Sequence, residues 1–136
     1  MCLPILRFPG IIYLCLDEAF YPFPDDYVQA TLDWRRQLDL QDLAVGCIWY
    51  RFDKLSIKPV VWVQGTNSTY YESACGSGSL ALALGTGCEN GCLVLQPSGA
   101  RIGVKLERAT GKAWIYGQVA PIARGEVFVD LPRADI

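Results

Sequence analysis

Tyr70-Tyr71-Glu72-Ser73-Ala74-Cys75-Gly76-Ser77-Gly78-Ser79-Leu80-Ala81-Leu82-Ala83-Leu84-Gly85 puts a cysteine and a turn of small residues directly before an apolar run. Glycine has no Cβ, so Gly76-Ser77-Gly78 lets backbone N–H groups converge. A helix start adds unpaired N–H donors and the positive end of a dipole. Such a place binds an anion such as a carboxylate and favours thiolate over thiol at Cys75. The stretch therefore predicts a base, Cys75, beside a cradle of Gly76, Ser77 and Gly78. Leu80, Leu82 and Leu84 alternate with Ala81 and Ala83 and leave no polar face. The helix should be buried all round and run through the middle of the fold.

Plainer readings exist for the same residues. A Gly-Ser-Gly turn can be a simple loop into the core, and the Leu–Ala alternation also suits a short strand. Free cysteines are among the most buried side chains and are usually inert. Gly76, Gly78 and Ala81 match the spacing of a dinucleotide fingerprint, but no second strand with an acidic residue follows at the required distance. No Gly-Lys-Ser/Thr follows either, which excludes a Walker loop.

The 136 residues make one domain, 1–136, long enough to bury a core. Half the chain is hydrophobic and the net charge is only -2, with no basic patch to suggest nucleic acid. No apolar run is long enough to span a bilayer. Met1 to Leu16 is apolar, but Pro4, Arg7 and Pro9 interrupt it, so it reads as an opening strand rather than a signal peptide. The expected location is cytoplasmic, and the six cysteines are expected to be reduced thiols. Cys88 and Cys92 could suggest a metal, but Asn90-Gly91 between them reads as a turn; no metal is expected. The chain has no histidine, which removes Ser-His-Asp and Cys-His catalysis as contained within it. Proton chemistry near neutral pH would fall to a cysteine or a perturbed carboxylate.

Along the chain, Ile11 to Leu16 reads as a strand, and Asp25-Asp26 caps a helix reaching Leu38, with Tyr27, Ala30, Trp34 and Leu38 on one face. Further strands are expected at Ala44 to Phe52, Val60 to Gln64, Cys92 to Gln96, Arg101 to Glu107, Lys112 to Ala120 and Arg124 to Leu131, with Thr69 to Tyr71 leading into the cysteine turn. The class is α+β: a mostly antiparallel sheet with one helix at its edge and one in its middle.

Glu72-x-Ala74-Cys75-Gly76-Ser77-Gly78 resembles the second catalytic motif of the diaminopimelate epimerase family. The following apolar helix, Gln96-Pro97-Ser98-Gly99, the segment Trp114 to Ala120 and the Val127-Phe128 strand fit the same pattern, so the resemblance covers nearly the whole chain. Within the superfamily, Tyr-Tyr-Glu-Ser-Ala-Cys-Gly-Ser-Gly is most similar to the branch containing histidine racemases of metallophore pathways. The resemblance implies a cofactor-independent racemase or epimerase. In that family two similar lobes each give one cysteine to a cleft; one thiolate takes the Cα proton and the opposite thiol returns one on the other face. Helix starts hold the α-carboxylate.

The chain departs from that pattern in four places. It resembles the second lobe only, beginning with Met1 near the expected lobe boundary. The family's Glu-Arg-Gly is replaced by Thr66-Asn67-Ser68, which argues against diaminopimelate as substrate. The family's site histidine corresponds to Tyr13 or a neighbour. The assisting glutamate has no clear match; Thr66 falls nearest, and Glu72 is close in sequence. The resemblance thus implies catalytic Cys75, with Gly76, Ser77, Gly78, Thr66, Asn67, Tyr13 and Glu72 around the substrate. The expected partner is a second subunit resembling the missing first lobe. Alternatives are a homodimer with two copies of Cys75 face to face, and a non-catalytic binding or scaffold subunit. A lone lobe of this composition should expose an apolar face, so a partner or self-association is also expected on physical grounds.

Overall fold

The computed structural model describes residues 3–88 and 90–130. The chain opens with a hairpin, β1 (Ile5–Phe8) and β2 (Ile11–Asp17), turning at Pro9-Gly10 with Gly10 at φ 86°. Helix α1 (Tyr27–Gln37) then crosses to β3 (Ala44–Arg51). The crossover returns the chain in the same direction, so β2 and β3 pair in parallel within an otherwise mostly antiparallel sheet. Asp26 caps α1, its carboxylate accepting from the Gln29 N–H at 2.9 Å.

β4 (Ser56–Val63) starts four residues before the expected strand and runs through Pro59. The Pro59 carbonyl accepts from the Glu72 N–H, so the ring's missing donor faces the same side. There β4 is shared: β5 (Ser68–Tyr71) pairs with Val60 to Val63, and β6 (Cys92–Leu95) only with Ser56. Proline is tolerated because no ladder bond is demanded between them. Helix α2 (Gly76–Thr86), β7 (Arg101–Glu107) and β8 (Lys112–Tyr116) complete the described elements. The sheet order is β1-β2-β3-β4-β6-β7-β8, with β5 beside β4.

The sheet separates two cores. Ile12, Leu14, Leu16, Val45, Cys47, Trp49, Val60 and Trp62 face α1. Tyr13, Cys15, Ile48, Tyr50, Ile57 and Val61 face α2. Central strands buried on both faces read as continuous apolar runs, as β2 and β3 do. β1, β2, β3, β4, β7 and β8 all pack on α2, so the sheet curls around it as a half-barrel.

Two expectations need correction. α2 is not buried all round: Ala81, Leu82 and Ala83 are buried, whereas Leu80 and Leu84 remain partly open because the curled sheet does not close. The last strand is also absent among the described residues. β8 ends at Tyr116 rather than Ala120, and 117–130 form no regular structure and lie exposed. The β-branched and aromatic run Val127-Phe128-Val129 suits a strand, but the segment pairs with no strand of this chain. Leu131 lies outside the described residues. No helix among the described residues is long and apolar enough to cross a membrane.

Candidate active site

Cys75 is the N-cap of α2, with extended backbone and a thiol that accepts from the Gly78 N–H at 3.3 Å. Tyr13, projecting from β2, brings its hydroxyl to 3.6 Å from Cys75 Sγ and 2.7 Å from Ser77 Oγ. Ser77 Oγ lies 3.8 Å from the thiol, closing a triangle of three polar groups. Ser77 is exposed and Gly76 partly so. Their N–H groups belong to the first turn, where a helix has no acceptor of its own to offer.

The backbone of Cys75 is held from behind. Gln96, at the end of β6 and only 3% exposed, accepts from the Cys75 N–H at 2.9 Å. Its amide donates to Ser79 Oγ and to the Val94 carbonyl. The Ser79 hydroxyl donates to the Cys75 carbonyl at 2.8 Å. The Ser98 N–H reaches the Ser73 carbonyl, so the Gln96-Pro97-Ser98-Gly99 turn is docked on the cysteine turn.

Two glycines keep the space. A Cβ on Gly78 would fall 2.8 Å from Ile48 and 3.0 Å from Cys75 Sγ. A Cβ on Gly46 would fall 2.3 Å from the Tyr13 ring, which lies across that residue in the β2–β3 pair. Tyr13 can lie down over β3 because Gly46 has no side chain.

Burial pushes the Cys75 thiol up, and the Glu72 carboxylate beside it adds to the effect. The Tyr13 hydroxyl and the Gly78 N–H pull the other way. Tyr13 is itself pushed up, by burial first and then by Cys75. The largest of these effects is burial, so the net direction is upward, opposite to the one expected from the helix start. Burial pushes Cys15, in the α2-side core, and Cys47, in the α1-side core, to about 12.

The structure brings Cys75, Gly76, Ser77, Gly78, Tyr13 and Glu72 together. It does not bring Thr66 and Asn67 to them. Those two sit in the β4–β5 turn; Asn67 accepts from the Trp62 indole, on the α1 side of the sheet, and Thr66 pairs with the Ser68 hydroxyl. The register explains this: Tyr13 lies in the row of Gly46, Val61 and Tyr70, and the turn projects beyond the Val63–Ser68 pair. Sequence reasoning missed Gly46 and Ser79 and took Gln96 only as the end of a strand and the start of the Gln96-Pro97-Ser98-Gly99 match. A lone glycine inside an apolar strand was the available signal for Gly46.

The cysteine turn reaches the surface through the exposed Ser77, while Cys75 itself is buried. The concavities around Asp17 and Arg51, Leu80 and Leu84, and Leu38 and Asp42 do not include Cys75. No group of three or more metal-ligating side chains is gathered among the described residues. A scan of protein-family models and a search of curated proteins both return no match.

Proposed function

We propose that this chain is one lobe of a cofactor-independent amino-acid racemase or epimerase of the diaminopimelate epimerase-like kind, with Cys75 as one of two proton-carrying groups. The observation that supports this most is the cap of α2, where a thiol and the Tyr13 hydroxyl meet at a helix start whose first turn is Gly76, Ser77 and Gly78. A substrate carboxylate bound to N–H groups of that turn places its Cα next to the thiol. Hydrogen bonding of that carboxylate stabilises the carbanion that forms when the Cα proton leaves.

Cys75 in the thiol form that burial favours suits the acid role in one direction. A base from a second lobe takes the Cα proton on one face, and the Cys75 S–H proton passes to Cα on the other. Substrate and product are mirror images at Cα, and the reverse reaction uses Cys75 as thiolate. The second group comes from another lobe with its own cysteine turn, as a distinct subunit or as a second copy of this chain. That lobe also excludes water from a site that is open here. Reduced thiols suit a cytoplasmic setting. A carboxylate-binding subunit without proton transfer is the reading that the burial of Cys75 favours.

Exchange of the Cα proton for deuterium, followed by mass spectrometry over a panel of amino acids, tests the proposal in the assembled complex. Cys75→Ser is expected to lower exchange by roughly 100-fold or more, the range of a positioned acid–base group. Unchanged exchange would rule out the assignment. Binding without exchange in the unmodified protein would leave the binding-subunit reading.

A further inference from the structure

Residues 117–130 leave the end of β8 and make no backbone hydrogen bond to the rest of the described chain. The segment is nonetheless apolar: Ile122 and Phe128 are each 98% exposed, and Val119, Val127 and Val129 are exposed as well. β8 before it is only half covered, with Trp114, Ile115 and Tyr116 all partly in the open. So much contiguous apolar surface marks an interface.

The same chain carries a matching receptor. A groove of about 360 Å³ opens over α2 between the tip of β1 and the β7–β8 turn. Leu80 and Leu84 line it together with Phe8, Leu106 and Ala113. It is the gap left where the curled sheet fails to close, and β1 and β8, the two ends of the sheet order, stand on either side. Its rim carries Arg108, Lys112 and Glu107. In the segment, Glu126 and Asp130 flank Val127-Phe128-Val129, and Arg124 precedes them. The charges of rim and segment are complementary.

We infer that 117–130 is an exchange arm, and that a second copy of this chain is its receptor. In a two-fold dimer each arm adds Glu126 to Asp130 as a strand in the other copy's groove, covering Leu80 and Leu84 and pairing with a free sheet edge. One contact type then satisfies both copies, as a two-fold axis requires. The exposed segment, the open helix face and the unpaired edges are all accounted for at once. The arm leaves β8 at Tyr116, whereas the groove is lined by Gly111, Lys112 and Ala113 at the opposite end. Filling its own groove would require the arm to double back along β8. The inference does not rest on the chemistry of Cys75: a dimer that moves no proton leaves it standing.

Sedimentation of the full chain at micromolar concentration is the first test, with the mass of two chains expected. Val127→Asp with Phe128→Asp, both at exposed positions, should halve that mass without unfolding the body. A monomeric unmodified chain, or a dimer indifferent to the arm substitutions, overturns the inference. Phe128→Cys combined with Leu84→Cys separates exchange from self-closure after oxidation. A covalent dimer on a non-reducing gel, absent from either single variant, supports exchange. An internally linked monomer shows that each arm fills its own groove and overturns it.

Discussion

Tyr13 reaches Cys75 only because Gly46 stands opposite it. Gly46→Val would drive a side chain into a ring whose atoms lie 2.3 Å from the Cβ position. The expected cost is about 1–3 kcal/mol by urea denaturation, the range for overpacking a tight site. Normal stability would mean that the ring can leave without consequence. Glu72 acts on the same thiol through charge. Removing a negative charge beside a thiol favours the thiolate, so Glu72→Gln should shift the pH profile of Cys75 alkylation to lower pH. A profile that does not move would place Glu72 away from the thiol. The cysteine turn was legible in the sequence because its parts are contiguous and its physics is local. Gly46 was not, because its role depends on a register set between strands. The upward push on the Cys75 thiol was hidden for a related reason: a helix start is visible in sequence, and the depth of burial is not.

Helix α2 is placed by β6 as much as by its own residues. Gln96 joins the Cys75 N–H, the Ser79 hydroxyl and the Val94 carbonyl in one buried network. Gln96→Leu keeps the bulk and removes every partner. It should cost about 1–3 kcal/mol, the penalty for stranding buried polar groups, and loosen the cysteine turn. Thermal melts and faster alkylation of Cys75 would register the two effects; a silent variant would mean that water replaces the amide. At this scale the sequence was informative wherever a pattern is self-contained. α1 with its Asp26 cap, α2, and β2, β3 and β7 fall within a residue or so of expectation. The segment 124–130 has a strand's composition at Val127-Phe128-Val129 yet forms none here, because composition says what suits a pleated surface and not which edge is available. The parallel β2–β3 pair follows from α1 lying between them, a consequence of connectivity rather than of either strand's composition.

The whole molecule is a sheet with a core on each side, and each core buries a thiol. Cys15 packs on the α2 side and Cys47 on the α1 side. Burial raises both from an ordinary value of 9.0 to about 12. A folded pKa above the unfolded one means that the unfolded chain ionises first as pH rises. Their stabilising contribution is complete below about pH 9 and declines as pH climbs towards the folded values. The slope is about 1.4 kcal/mol per pH unit for each thiol within that window. Other groups titrate there too, so the measurement is a comparison: urea midpoints at about pH 8, 9 and 10 for the unmodified chain and for Cys47→Ala. The variant starts less stable because its core holds a cavity, yet its stability should fall less steeply, by about one thiol's slope. Parallel curves would mean that Cys47 meets water, and hence that α1 does not seal its side of the sheet. A shallower curve would establish that the α1 core is closed by this chain alone. The open side of the molecule would then be the face around α2, where Leu80 and Leu84 line the groove and Ser77 is exposed at the cysteine turn.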